Sequence, residues 1–199
     1  RDALYDAFRR KETFATSGPR MRARFFAGTD YSDDIMAAES MIEKAYAGGV
    51  PMGSDLVTGG QAPSFIAWAS ADPRGTALQR LQIVKGWEKN GETYEAVYDV
   101  ACSDGLLPDP ETHRCPDNGA KVNLADCSIT QGVGATELKA LWQDPDYDSD
   151  SRAFYYLRAL ENPTCRWSTW DALRAGVEPR PDLHTTLQER VWSSPIWVR

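Results

Sequence analysis

The stretch from Arg152 to Trp170, RAFYYLRALENPTCRWSTW, constrains the fold more than any other part of the chain. Its first half, Ala153–Leu160, is dense in aromatic and apolar residues and stops at Asn162-Pro163. So short and apolar a run reads as a β-strand buried on both faces rather than as a helix. Such a strand needs partners on both edges and a layer over each face, so it is expected at the centre of a sheet in a layered β protein. The second half adds a cysteine, an arginine and two tryptophans just past the strand end, where the core of a sandwich closes.

The rest of the chain supplies partners for that strand. Ser64–Ala69 and Leu78–Trp87 read as strands, and Asn90-Gly91 turns the second back into Thr93–Cys102 as a hairpin. Leu81, Ile83 and Lys85 fall on one side of this hairpin and Arg80, Gln82 and Val84 on the other. Ala135–Trp142 is a further strand, and Val191–Arg199 is a last one interrupted by Pro195, which belongs at a bulge or an edge. Three helical patterns stand apart. Arg1–Lys11 carries a stripe of Leu4, Ala7 and Phe8. A second begins at Ser32 or Asp33, runs through Ile35, Ala38, Met41, Ile42 and Ala45, and ends at Gly48-Gly49. Trp167–Ala175 is a short late helix stopped by Gly176. The expected architecture is mainly β: an immunoglobulin-like β-sandwich with an N-terminal helix, a helical insert over residues 31–60 and that late helix. The apolar loop 49–60 is expected to dock on the body.

Charge narrows the partners. The net charge of −7 argues against a general nucleic-acid binder. Residues 1–24 hold seven Lys/Arg against three Asp/Glu, whereas residues 25–199 hold fifteen against twenty-six. Arg20, Arg22 and Arg24 alternate on one face of a strand, either to grip an anion or to face water and acidic neighbours. No apolar run approaches the length of a membrane span. The chain begins at Arg1 rather than Met, and the simplest reading is a piece of something longer.

Few residues are equipped for chemistry. Only His113 and His184 are present, and no Cys-x-x-Cys occurs, so a zinc site is not expected. Asp144, Asp146, Asp148 and Asp150 alternate as in a calcium loop, but Ser149 and Tyr155 stand where an EF-hand needs Gly and Glu. A solvated acidic turn is the default for them, and no catalytic or cofactor-binding residue is assigned. Four cysteines allow three pairings. Cys102 and Cys115 bracket a turn-rich loop and are expected to pair, leaving Cys127 for Cys165 and pointing to an oxidising compartment. The seven tryptophans are expected mainly in the core. Exposed and aligned, they would instead favour a stand-alone module binding a glycan or other ligand.

Ala3-Leu-Tyr-Asp-Ala-Phe-Arg-Arg-Lys-Glu-Thr-Phe-Ala-Thr-Ser-Gly18 resembles the closing helix and turn of PHP-type (polymerase and histidinol phosphatase) domains. Trp192-Ser-Ser-Pro-Ile-Trp-Val198 resembles the last strand of the β-sandwich that often follows them. With QAPSFIAWASADP, LQRLQIVKGW, LWQDPDYD and AFYYLRALENPTCRWSTWDA between, nearly the whole chain resembles a large bacterial domain-of-unknown-function family of exported PHP-like proteins. The segment Tyr31–Gly60 departs from the better-known PHP pattern. The resemblance implies that residues 1–18 close an upstream PHP-like unit and residues 19–199 form a sandwich domain. It further implies that metal ions for phosphoester hydrolysis are held upstream, by ligands outside this chain. On that reading the domain is exported and not catalytic by itself. Leu4, Ala7, Phe8, Arg20, Arg22 and Arg24 then become the candidate surface toward the upstream domain.

Overall fold

A computed structural model describes all of residues 1–199. The chain opens with α1 (Asp2–Arg9), β1 (Phe14–Thr16) and β2 (Arg22–Gly28). A 3-10 turn (Ile35–Ala37), α2 (Met41–Gly48), β3 (Gly49–Pro51) and β4 (Asp55–Leu56) follow. Then come β5 (Ser64–Ser70), β6 (Leu78–Lys89), β7 (Glu92–Cys102), β8 (Glu137–Gln143) and β9 (Ala153–Glu161). The last elements are β10 (Thr164–Cys165), α3 (Trp167–Ala175), β11 (Thr186–Leu187), β12 (Arg190–Ser193) and β13 (Ile196–Val198). The fold is mainly β, with two sheets packed face to face.

β9 is the hub of the larger sheet. The hairpin β6–β7 lies along one edge of β9, and its other edge is shared end to end by β12 and β13. Pro195 sits between those two short strands, which replace the single closing strand expected from the sequence. Its missing N–H breaks the ladder there. β1 extends the sheet antiparallel on β12, and β4 extends it parallel on β13. Asn90 and Gly91 turn the hairpin with φ of 56° and 80°, the left-handed pair that matches strand twist. The smaller sheet, β3–β2–β5–β8, is antiparallel throughout.

The core lies between the sheets. Phe65 reaches across from the smaller sheet to within 4.4 Å of the Tyr155 ring, centroid to centroid, and stacks beside Phe25. Leu81, Ile83, Leu157, Ala159, Val191 and Ile196 complete it from the larger sheet. On the far side of the smaller sheet, Phe26 and Ile66 pack under Ile35, Met41 and Ala45. The helical insert is therefore a lid on that sheet, and β2 and β5 carry unbroken apolar runs because both their faces are covered.

Two expectations are corrected here. β9 is central, but it is not buried on both faces. Ala153, Tyr155, Leu157 and Ala159 point into the core, while Phe154 is exposed and Tyr156 and Arg158 are half-buried on the outer side. The insert lies on the other sheet, so no layer crosses β9 at Phe154. The second helix is also shorter than its periodicity indicated. Ala38 adopts an extended backbone with ψ of 134°, which ends the 3-10 turn and leaves α2 to start afresh after Ser40. The apolar loop 49–60 docks through Met52 and Leu56, while Val57 stays exposed.

Candidate functional site

The uncovered face of the larger sheet carries a cleft of about 690 Å3. Strand register builds it. Glu95 of β7, Gly86 of β6, Phe154 of β9, Trp197 of β13 and Asp55 of β4 lie opposite one another in a single row across five strands. A Cβ at Gly86 would overlap the Phe154 ring, so the glycine is the seat on which the ring lies. Arg152, Glu88 and Arg199 line the cleft one step along the strands. Arg199 pairs with Asp55 at 2.5 Å. Lys11, which does not line the cleft, holds the Trp197 indole from the side of α1, its Nζ 5.3 Å from the ring centroid. The signal in the sequence was Gly86, a lone glycine inside a strand pattern, which marks close approach by another group.

The opposite face of the same strands carries a buried polar network. Lys85 Nζ meets Asp144 Oδ2 at 2.6 Å and the Asp146 carbonyl at 2.7 Å. The Tyr155 hydroxyl donates to Asp144 at 2.7 Å and the Tyr98 hydroxyl donates to Asp146 at 2.8 Å. Burial, reinforced by these carboxylates, pushes both phenols well above the usual tyrosine range, so they remain donors. Asp148 accepts from the Ser151 hydroxyl and the Asp150 N–H, and lies 3.4 Å from Lys89. The acidic turn is thus committed to clamping β6, β7 and β9 to the segment after β8. Its four aspartates do not converge on a common point, and no group of three or more His, Cys, Asp or Glu side chains does so elsewhere.

From residue 1 to residue 199 the chain matches the family described as "Protein of unknown function (DUF3604)". It belongs to the DUF3604 family. No curated protein and no solved structure matches the chain.

The other residues singled out from the sequence of this DUF3604 domain fall in separate places. Disulfides join Cys102 to Cys115 and Cys127 to Cys165, and no cysteine is free. The second ties the long 103–136 loop to β10, beside α3. Asn118 anchors the same loop through Gln79, Ser103 and Asn162. Arg22 and Arg24 are exposed on the outer side of β2, opposite Ser70 and Trp68. Arg20 precedes the strand, and its backbone N–H donates to Asp72. The Arg74 N–H above all, and then that of Arg20, hold the Asp72 carboxyl below the usual range. His113 packs on Tyr98 inside the first disulfide loop, and His184 lies in the connection between α3 and β11.

The tryptophans correct another expectation, because none of the seven is fully buried. Trp87 and Trp142 are half-buried against the main core and Trp68 against the smaller cluster, Trp192 and Trp197 are half-buried on the outer side of the larger sheet, and Trp167 and Trp170 are exposed on α3. Arg166 and Arg174 lie over those last two rings. α1 buries nothing. Leu4, Tyr5 and Phe8 are 68%, 61% and 70% exposed, and Ala7 is half-buried. Yet the helix is firmly rooted: Glu12 accepts from the Tyr46 hydroxyl, and the Thr13 carbonyl accepts from the Ser194 N–H.

Proposed function

We propose that this DUF3604 domain is an accessory domain of a PHP-like, metal-dependent hydrolase and is not catalytic by itself. The observation that carries the reading is the apolar face of α1. A helix anchored at its C-terminal end presents Leu4, Tyr5 and Phe8 to solvent on one side, and a surface of that kind calls for a neighbour. The neighbour is the upstream domain of the same polypeptide, whose closing helix α1 resembles. Burying one Leu and one Phe there would contribute about 3–6 kcal/mol before entropic costs. Arg20, Arg22 and Arg24 would flank that contact and meet acidic partners. In this reading the chain itself holds no cofactor, and metal ions belong to the upstream unit. The two-sheet core would follow the immunoglobulin-like plan. Export to an oxidising compartment accords with two disulfides and with the absence of any helix long and apolar enough to cross a membrane.

The test compares this chain with the longer polypeptide carrying the upstream unit. Hydroxyl-radical labelling should modify Tyr5 and Phe8 strongly in the former and weakly in the latter. Phe8→Asp should separate the two units into independent unfolding transitions while leaving the melting temperature of this chain nearly unchanged. Equal labelling in both contexts would remove the docking role. Manganese- or zinc-dependent phosphoester turnover by this chain, surviving repurification, would overturn the non-catalytic reading.

A further inference from the structure

The geometry points to the Phe154–Trp197 cleft as a binding site for a neutral oligosaccharide. The inference goes beyond the docking role of α1. Its first support is the floor. Phe154 and Trp197 are direct cross-strand partners, and the Phe154 ring lies over Gly86 on the side away from Trp197, so the two aromatics spread across three strands of the floor. A floor about 10 Å across three strands has room for more than one pyranose ring. The C–H faces of pyranoses are flat and apolar, and they stack on aromatic faces of this kind. Phe154 is itself exposed although it lies in the middle of the sheet.

The second support is the wall chemistry. A sugar hydroxyl both donates and accepts, so its site must offer both functions. Arg152 supplies donors, and Glu88 and Glu95 supply acceptors. Arg199 and Asp55 already neutralise each other at one end. An anion would meet the two glutamates, and a quaternary ammonium would meet Arg152. The balance suits a neutral, polyhydroxylated molecule better than either ion. The size agrees, because about 690 Å3 lies within the usual range for a small-molecule site and has room for a short oligosaccharide.

The third support is rigidity. Every residue that lines the cleft sits on a strand or one residue beyond its end. Gly86 lets the Phe154 ring lie down on the sheet, and Lys11 holds Trp197 from outside the cleft. A platform fixed in this way loses little freedom when a ligand arrives.

The test titrates the chain with neutral hexasaccharides of different linkage: cellohexaose, laminarihexaose, chitohexaose and mannohexaose. Binding is read from the indole N–H resonances up to millimolar concentration, with choline chloride and sodium sulfate as charged probes. At least one hexasaccharide should shift the Trp197 resonance saturably. Trp197→Ala and Phe154→Ala should each weaken that binding about tenfold or more. Arg152→Ala and Glu95→Gln lie on the exposed rim, keep the fold, and should also weaken it. Phe8→Asp should leave it unchanged, which separates this site from the docking face of α1. Silence from all four sugars, binding that survives the rim variants, or a cleft filled by choline or sulfate instead would each overturn the proposal.

Discussion

Lys85 Nζ lies 2.6 Å from Asp144 Oδ2, and the two side chains are 5% and 0% exposed. Lys85 projects from the middle of β6 into the side of the sheet that also carries Leu81 and Ile83, and Asp144 reaches it from the turn after β8. The pair is completed by the Tyr155 hydroxyl, the Asp146 carbonyl and the faces of Trp87 and Tyr155. Removing one charge strands the other. Asp144→Ala should therefore cost about 3–5 kcal/mol, measured by urea unfolding. Lys85→Met combined with Asp144→Asn keeps an acceptor for Tyr155 and strands no charge, so the double variant should be more stable than Asp144→Ala. A double variant as weak as Asp144→Ala would mean that packing, not the stranded ammonium, sets the cost.

Glu161 presents the opposite case, a buried carboxyl without a cation. It is 1% exposed at the end of β9, and its Oε1 has no hydrogen-bond partner. Burial pushes its pKa up to about 7; the Glu189 and Asp72 carboxylates add to the rise, and the Thr76 N–H opposes it. The folded protein thus holds this proton more tightly than the unfolded chain. Its contribution to stability is complete below about pH 4.5, falls as pH rises, and is lost above about pH 7. The loss is on the order of 3 kcal/mol across that window. Glu161→Gln should flatten the fall and raise the melting temperature at pH 8, read by scans between pH 4.5 and pH 8. An unchanged pH profile in the variant would show that other groups carry the dependence.

The two disulfides close loops of different length, with sequence separations of 13 and 38. In the chain-entropy model they stabilise by about 3 and about 4 kcal/mol respectively. The larger effect belongs to Cys127–Cys165, which restrains the long 103–136 loop. Replacing that pair with serine should lower the denaturant midpoint more than replacing Cys102 and Cys115. It should also raise amide exchange through residues 119–134 while leaving β5 protected. Equal exchange in the two variants would assign the loop's order to Asn118 and its partners instead.

Local chemistry explains which parts of this fold were legible in the sequence. The β6–β7 turn was, because Asn90 and Gly91 both tolerate positive φ. So was α3, whose end at Gly176 takes a left-handed φ of 67°. What stayed hidden depends on contacts between distant segments. Nothing local shows that the insert covers the smaller sheet, so the aromatic run of β9 looked doubly buried when Phe154 is in fact open. The spacing of Asp144 to Asp150 read as a solvated or calcium-binding turn. Only the fold reveals Lys85, 59 residues away from Asp144, as the cation it serves. The cleft is a product of register across five strands, and its single local trace is Gly86.

That glycine allows a sharper measurement. A methyl group at residue 86 would collide with the Phe154 ring, so Gly86→Ala must lift the ring from the strand. Because the ring is exposed and can move aside, the cost should fall at or below the low end of the ~1–3 kcal/mol typical of overpacked cores. In a Phe154→Ala background the collision disappears. There Gly86→Ala should be neutral or mildly stabilising, because alanine loses less backbone freedom than glycine on entering a strand. A double-mutant cycle isolates the coupling between the two residues. Strong coupling would show that the glycine exists to seat the ring, and the single variant should then also reshape the floor of the cleft and shift the Trp197 indole resonance. Additive effects would mean that the ring has another rest position within reach, and that Gly86 is not what holds Phe154 open to solvent.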